Sequence, residues 1–265
     1  MKILVPTDFS DNANNAFDFA KKLARLNQGT VTLLYAYHNV YDFAMQSAAI
    51  SVQIKEEAQK AMRELDTGRD PKIKVDYKIV QGYVATTIAS TAYRENYNLI
   101  VMGTQGASGI TKTLVGSNTA HVIKDSMVPV LAVPSQASFE MVKQIVVSLE
   151  WKVSEQQFFE RLFQITQQWG WPYRTLHIKL PEEEEPSKEV VSQLIRFLQQ
   201  SSPEITHDHV VAKNVTDGMA TYLENTNGSL FVMFYKKKPF FEHLLHKSRI
   251  EKMAYHTHVP LLVIK

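Results

Sequence analysis

Along the first half of the chain, short apolar runs alternate with stretches in which apolar residues recur every three or four positions. Residues 3–6 form one such run and predict a strand. Ser10 is placed to cap a helix, whose apolar positions Ala13, Ala16, Phe17, Ala20, Leu23 and Ala24 fall on one face. Gly29 ends that periodicity, and Thr30–Tyr37 is rich in strand formers. Helical spacing returns over 48–65, strand alternation over 74–80, and a third helix over 86–95. A buried strand at 99–102, a helix from Ser117 and a strand at Val130–Val133 complete the series. Strands separated by helices imply parallel crossovers and an open sheet covered on both faces. The fold class predicted is α/β.

The second half repeats the order. Gln144–Ser148 reads as a strand, and Phe158, Phe159, Leu162, Phe163, Thr166 and Trp169 mark a helix face. A strand follows at 175–179, then a Pro-flanked run of four glutamates, then a helix stripe of Val190, Val191, Leu194, Ile195 and Leu198. One constant offset places Leu99, Val101 and Met102 on Leu230, Val232 and Met233. It also places Leu114 on Leu245, Ser117 on Ser248, Val128-Pro129 on Val259-Pro260 and Leu131 on Leu262. This is the signature of a tandem duplication. The sequence thus predicts two domains, 1–135 and 141–265, joined near residues 134–140.

The length of 265 residues fits two such domains, and 45% apolar with 21% charged residues fits a globular chain. No cysteine is present, which excludes disulfides, thiolate nucleophiles, iron–sulfur clusters and cysteine-ligated zinc. A formal net charge of +2 makes no case for nucleic acid or acidic membranes as partners. The first apolar run meets Pro6 and Asp8 before an export signal could form, and no run approaches the roughly 18 residues needed to span a bilayer. A cytoplasmic protein is expected. Composition also separates the halves: seven of the ten glycines lie in the first, seven of the nine histidines in the second.

Three of those glycines carry the chemistry. Gly103, Gly106 and Gly116 lie in a segment that leaves the buried strand at 99–102 and ends where a helix begins at Ser117-Asn118. Ligands of open α/β sheets bind beyond the carboxyl ends of strands. Glycines let backbone amides approach an anion and permit conformations other residues avoid, while a helix N-terminus adds N–H groups and a positive dipole end. The segment lacks the Gly-Lys-Ser/Thr spacing of a P-loop, and it follows a late strand rather than the first, unlike a Rossmann fingerprint. Read singly, Asp8 serves equally as a turn or helix cap, and Lys112 reads first as a solvated surface lysine.

The spacing Gly103-x2-Gly106-x9-Gly116-Ser117 resembles the nucleotide motif of the universal stress protein family. Val5-Pro6-Thr7-Asp8-Phe9-Ser10 resembles that family's first strand and turn, and Pro129-Val130-Leu131-Ala132-Val133 its last strand. The resemblance implies Rossmann-like domains with five-stranded, mostly parallel sheets. It implies that Asp8 meets the ribose or lies beside the adenine, and that Ala36 meets the adenine through its backbone. Gly103, Gly106, Gly116, Ser117 and Asn118 would enclose the phosphates. The implied ligand is ATP, with AMP or ADP as alternatives, and Mg2+ would arrive on the phosphates rather than in a protein-built metal site. Related single domains pair through their last strands, so Val130–Val133 and Leu261–Ile264 are expected to make an intramolecular pseudo-dimer, with a homodimer of such chains left open. The implied role is regulation in a stress response through an unknown protein partner. The alternatives are a slow ATPase or phosphotransferase and a nucleotide-free interaction module.

In the second half the glycines become Phe234, Lys237 and Lys247, and Asp8 falls on Glu150. Side chains then fill the space a phosphate needs, which predicts a degenerate domain without a nucleotide site. Lys236, Lys237 and Lys238 read as a solvated loop, and Phe240-Phe241 as core or a partner patch. His243, His246, His256 and His258, with His207 or His209, match no known metal spacing and read as surface histidines.

Overall fold

The computed structural model describes residues 1–38, 44–66, 71–104, 116–235 and 259–265. The segments outside it contain Gly106, Gly109, Lys112, Leu114 and everything predicted for 236–258, including the lysine, Phe-Phe and four-histidine readings. The chain divides into two compact units, the first built on residues up to Ser135 and the second on Gln136–Lys265.

The first unit holds strands β1 (Lys2–Pro6), β2 (Thr30–Tyr37), β3 (Lys74–Gln81), β4 (Leu99–Gly103) and β5 (Val130–Val133). Helices α1 (Asp11–Leu26), α2 (Ala44–Leu65), α3 (Val84–Arg94) and α4 (Ser117–Asp125) connect them. The strand order is β3-β2-β1-β4-β5, every pair parallel. The interior strands are apolar on both faces, as a sheet covered by helices on both sides requires. Ile3, Leu4, Leu99 and Ile100 are fully buried, each worth about 1.5–3 kcal/mol relative to exposure. Ser10 caps α1 by accepting a hydrogen bond from the Ala13 amide at 3.3 Å, and the predicted apolar stripe of that helix is buried throughout. Gly29 lies so close to the Met1 carbonyl that any Cβ would collide with it. Here the need for glycine is steric, since Thr30 must reach Met1 with its amide to start β2 beside β1.

The second unit holds β6 (Gln144–Ser148), β7 (Tyr173–Lys179), β8 (Thr206–Val211), β9 (Ser229–Phe234) and β10 (Leu261–Ile264), ordered β10-β9-β6-β7-β8 and again parallel. Its helices are α5 (Gln156–Thr166), α6 (Lys188–Ser201) and α7 (Val215–Glu224). The duplication survives at the level of register. Ile3 opposite Leu99 recurs as Ile145 opposite Leu230, and Val101 opposite Leu131 as Val232 opposite Leu262. Among the described residues, no helix is long and apolar enough to cross a membrane.

Two elements lie outside those the periodicity predicts. β8 is an edge strand reading Thr-His-Asp-His-Val-Val, so its pairing rests on polar contacts. Asp208 accepts hydrogen bonds from Arg174 at 3.0 Å and Tyr222 at 2.6 Å. Burial and then that carboxylate push the Tyr222 hydroxyl well above the usual phenol range. The opposite face carries His207, whose Nδ1 lies 2.7 Å from the Thr175 hydroxyl. Its Nε2 is buried, and no described residue hydrogen-bonds to it. α7, capped by Asn214 on the Asp217 amide, was likewise not located from periodicity.

Burial lowers the affinity of His207 for a proton, against a smaller opposing pull from Asp208. The unfolded chain therefore takes up this proton first as pH falls. Stability should decline as pH drops below about 6.5 and level off below the folded-state value. Melting temperatures at about pH 7.5 and pH 5.5 should differ more for the wild type than for His207→Gln. Equal pH sensitivity in the two proteins would contradict this role.

Candidate functional site

In the first unit, β1 is flanked by β2 on one side and β4 on the other, so the connections after β1 and β4 leave in different directions. The cleft that opens between the two strand ends holds about 620 Å³ of space, including its mouth. Pro6, Thr7 and Asp8 bound it from β1, and Met102 and Gly103 from β4. Gly116, Ser117, Asn118 and Thr119 bound it at the start of α4, with Ala13 of α1 and Val84 and Ile88 of α3 completing the wall. Five of the sequence-predicted residues thus meet in one place: Asp8, Gly103, Gly116, Ser117 and Asn118. Ala36 sits in β2 opposite Val80 and does not line the cleft. Gly106 lies outside the described residues.

The turn after β1 is organised by its own side chains. Phe9 adopts a left-handed conformation with φ 63°, and its amide donates to the Thr7 hydroxyl at 2.9 Å. Asp8 is exposed, and its Oδ1 accepts from the Ser10 amide at 3.1 Å and the Ser10 hydroxyl at 2.6 Å. Asp8 thus shapes the turn and also stands at the edge of the cleft.

On the other side, Gly116 is the N-cap of α4 and provides no side chain to the first-turn N–H groups. Such groups have no acceptor within a helix, and at a helix start they suit an anion. Ser117 and Asn118 are exposed beside them. The Gly116 amide donates to the Thr104 carbonyl, and the Thr104 amide to Val133 at 3.2 Å, so both ends of the 105–115 segment are tied together. The expectation that these glycines serve unusual backbone conformations is corrected here. Gly116 has φ −67° and ψ 163°, open to any residue, and Gly103 is not among the positive-φ positions.

Val84 and Ile88 were not predicted. They are one helical turn apart on α3, an apolar pair indistinguishable in sequence from ordinary core. They add an apolar patch to the lining of the cleft.

The second unit has the same turn but fills it with a buried carboxylate. Trp151 repeats the left-handed backbone at φ 55°. The Glu150 and Lys152 amides around it donate to the carboxylate of Glu155, at 3.1 and 3.2 Å, and Glu155 is 1% exposed. Glu150 itself pairs with the Lys152 ammonium at 2.6 Å, which raises the affinity of Lys152 for its proton. Phe234, in the position of Gly103, packs against Phe158 and Phe159 with ring centroids 5.2 and 4.9 Å away. Among the described residues, no cluster of His, Asp and Glu could hold a metal ion.

Comparison with known proteins agrees with this architecture. The family model described as the universal stress protein family matches residues 1–134. A universal stress protein of Methanocaldococcus jannaschii is 33% identical over 138 residues, spanning 50% of this chain and 81% of that protein. A second from the same archaeon is 30% identical over 156 residues, spanning 52% and 96%. The crystal structure of a universal stress protein from Archaeoglobus fulgidus matches 100% of this chain and 96% of its own, with a TM-score of 0.71 at 18% identity, a likeness of fold.

Ser10 both caps α1 and anchors Asp8, so Ser10→Ala should cost about 1 kcal/mol in urea denaturation of the first unit. An unchanged midpoint would show that the turn holds without it.

Proposed function

Because the chain belongs to the universal stress protein family, we propose that its first unit binds an adenine nucleotide and that a protein partner reads the occupied state in a stress response. ATP is the ligand proposed, with AMP and ADP as alternatives, drawn from the cytoplasm. The observation that carries this reading is the meeting of Asp8, Gly103 and the side-chain-free cap of α4 around one cleft. Apolar lining residues together with a helix start that has no side-chain cap suit a molecule with a flat base and a charged tail.

In this proposal Val84 and Ile88 flank the base and Asp8 accepts from the ribose hydroxyls, while Ala36, which does not line the cleft, takes no part. Gly103, Gly106, Gly116, Ser117 and Asn118 surround the phosphates. Mg2+ is carried on the phosphate oxygens. When bound, the triphosphate supplies negative charge at the start of α4, and the occupied cleft is the surface a partner recognises.

One nucleotide per chain is proposed rather than two. In the second unit the buried Glu155 carboxylate already occupies the amides of the turn, and a second anion there would meet its charge. Phe234 replaces Gly103 at the end of the matching strand and packs against Phe158 and Phe159 of α5, where the first unit keeps Gly103 close against α1.

Calorimetric titration with Mg-ATP should give a stoichiometry near one. Asp8→Ala combined with Gly106→Val should remove specific binding while the protein stays folded. A stoichiometry near two, or saturable binding that survives the double substitution, would overturn the assignment to the first unit.

A further inference from the structure

We propose that Asn12 is a positioning residue for the phosphate end of the cleft, acting on it through Gly103 and Thr104; the inference rests on the nucleotide reading above. Asn12 lies in the first turn of α1, only 7% exposed, on a helix face otherwise made of alanine, phenylalanine and leucine. A buried amide is costly unless it is hydrogen-bonded. Its Nδ2 donates to the Val133 carbonyl at the end of β5, at 3.0 Å. The same carbonyl accepts the Thr104 amide at 3.2 Å. One oxygen, with its two lone pairs, therefore joins α1, β5 and the first residue after β4.

That bond also fixes where the other end of the Asn12 amide points. A Cβ added at Gly103 would lie 2.6 Å from Asn12 Oδ1, 2.8 Å from its Cγ and 3.0 Å from its backbone oxygen. Glycine is required at 103 because α1 lies against it there, and the backbone conformation plays no part. From the other side, the Thr119 hydroxyl donates to the Gly103 carbonyl at 2.7 Å. Gly103 is thus gripped between α1 and α4 at the point where the chain enters the segment that would wrap the phosphates. Asn12 does not line the cleft, so its influence on a ligand passes through Gly103 and Thr104.

The consequence is selective. Loosening Asn12 frees the phosphate end of the cleft and leaves Asp8, Val84 and Ile88 where they are. Affinities for Mg-ATP and for adenosine, which lacks phosphates, separate the two ends. Asn12→Ala should weaken Mg-ATP about tenfold, the order expected for one lost buried hydrogen bond, and change adenosine by less than about twofold. Gly103→Ala should show the same selectivity. In the double variant the new Cβ no longer meets the amide, so the combined loss should be smaller than the product of the single losses. Should Gly103→Ala fail to fold, recovery of a folded protein on adding Asn12→Ala is the expected form of the same coupling.

Equal weakening of both ligands, no weakening of either, or independent effects of the two substitutions would overturn the role of Asn12. Absence of Mg-ATP binding by the wild type would instead overturn the nucleotide reading itself.

Discussion

The parallel pairing of β1 with β4, Ile3 opposite Leu99 and Leu4 opposite Ile100, brings together two strand ends that are far apart in sequence. Both strands are buried on both faces, so their register is fixed by core packing rather than by the site. Because β1 connects outward to β2 and β4 connects outward to β5, nothing in the sheet covers the gap beyond their carboxyl ends. Asp8 and Gly103 stand on its two banks. The remaining parts of the site, the turn at Phe9, the tie between Thr104 and Gly116 and the start of α4, are attached to that pair of ends.

The second unit shows that the scaffold alone does not make a site. Its registers reproduce those of the first, including the hydrogen bond from Thr7 to Leu34, which recurs from Leu149 to Leu176. The left-handed residue after the first strand recurs as well. What differs is the occupant. In one unit the turn is shaped by a short exposed aspartate and its serine, and in the other by a buried glutamate reaching back from the next helical turn. A carboxylate that accepts several backbone amides is a stable internal ligand. The duplication has therefore kept the turn in both units but filled it differently, with an exposed aspartate in one and a buried glutamate in the other.

Much of this was legible in the sequence. The strands at Val130–Val133 and Gln144–Ser148, the cap at Ser10 and the start of α4 at Ser117 follow directly from apolar runs and capping chemistry. α2 and α3 begin a few residues before their apolar periodicity does, at Ala44 and Val84. β8 was hidden because an edge strand needs little apolar surface, and its anchor, Asp208 with Arg174 and Tyr222, is tertiary. The site residues divide in the same way. Glycines and a helix cap announce an anion cradle, whereas Val84 and Ile88 look like core. Asn12 looks like a solvent-facing residue in a helix that has two more asparagines nearby. Its burial depends on Val133, which only the folded sheet brings within reach.

The central claim is that one cleft, in the first unit, takes the nucleotide and that the matching turn in the second does not. Backbone amide chemical shifts recorded with and without Mg-ATP test it most directly. The account predicts changes at Asp8, Val84, Ile88, Gly103 and the first turn of α4, with Glu150, Trp151, Lys152 and Phe234 unmoved. Shifts centred on the second set, with the first unchanged, would contradict it.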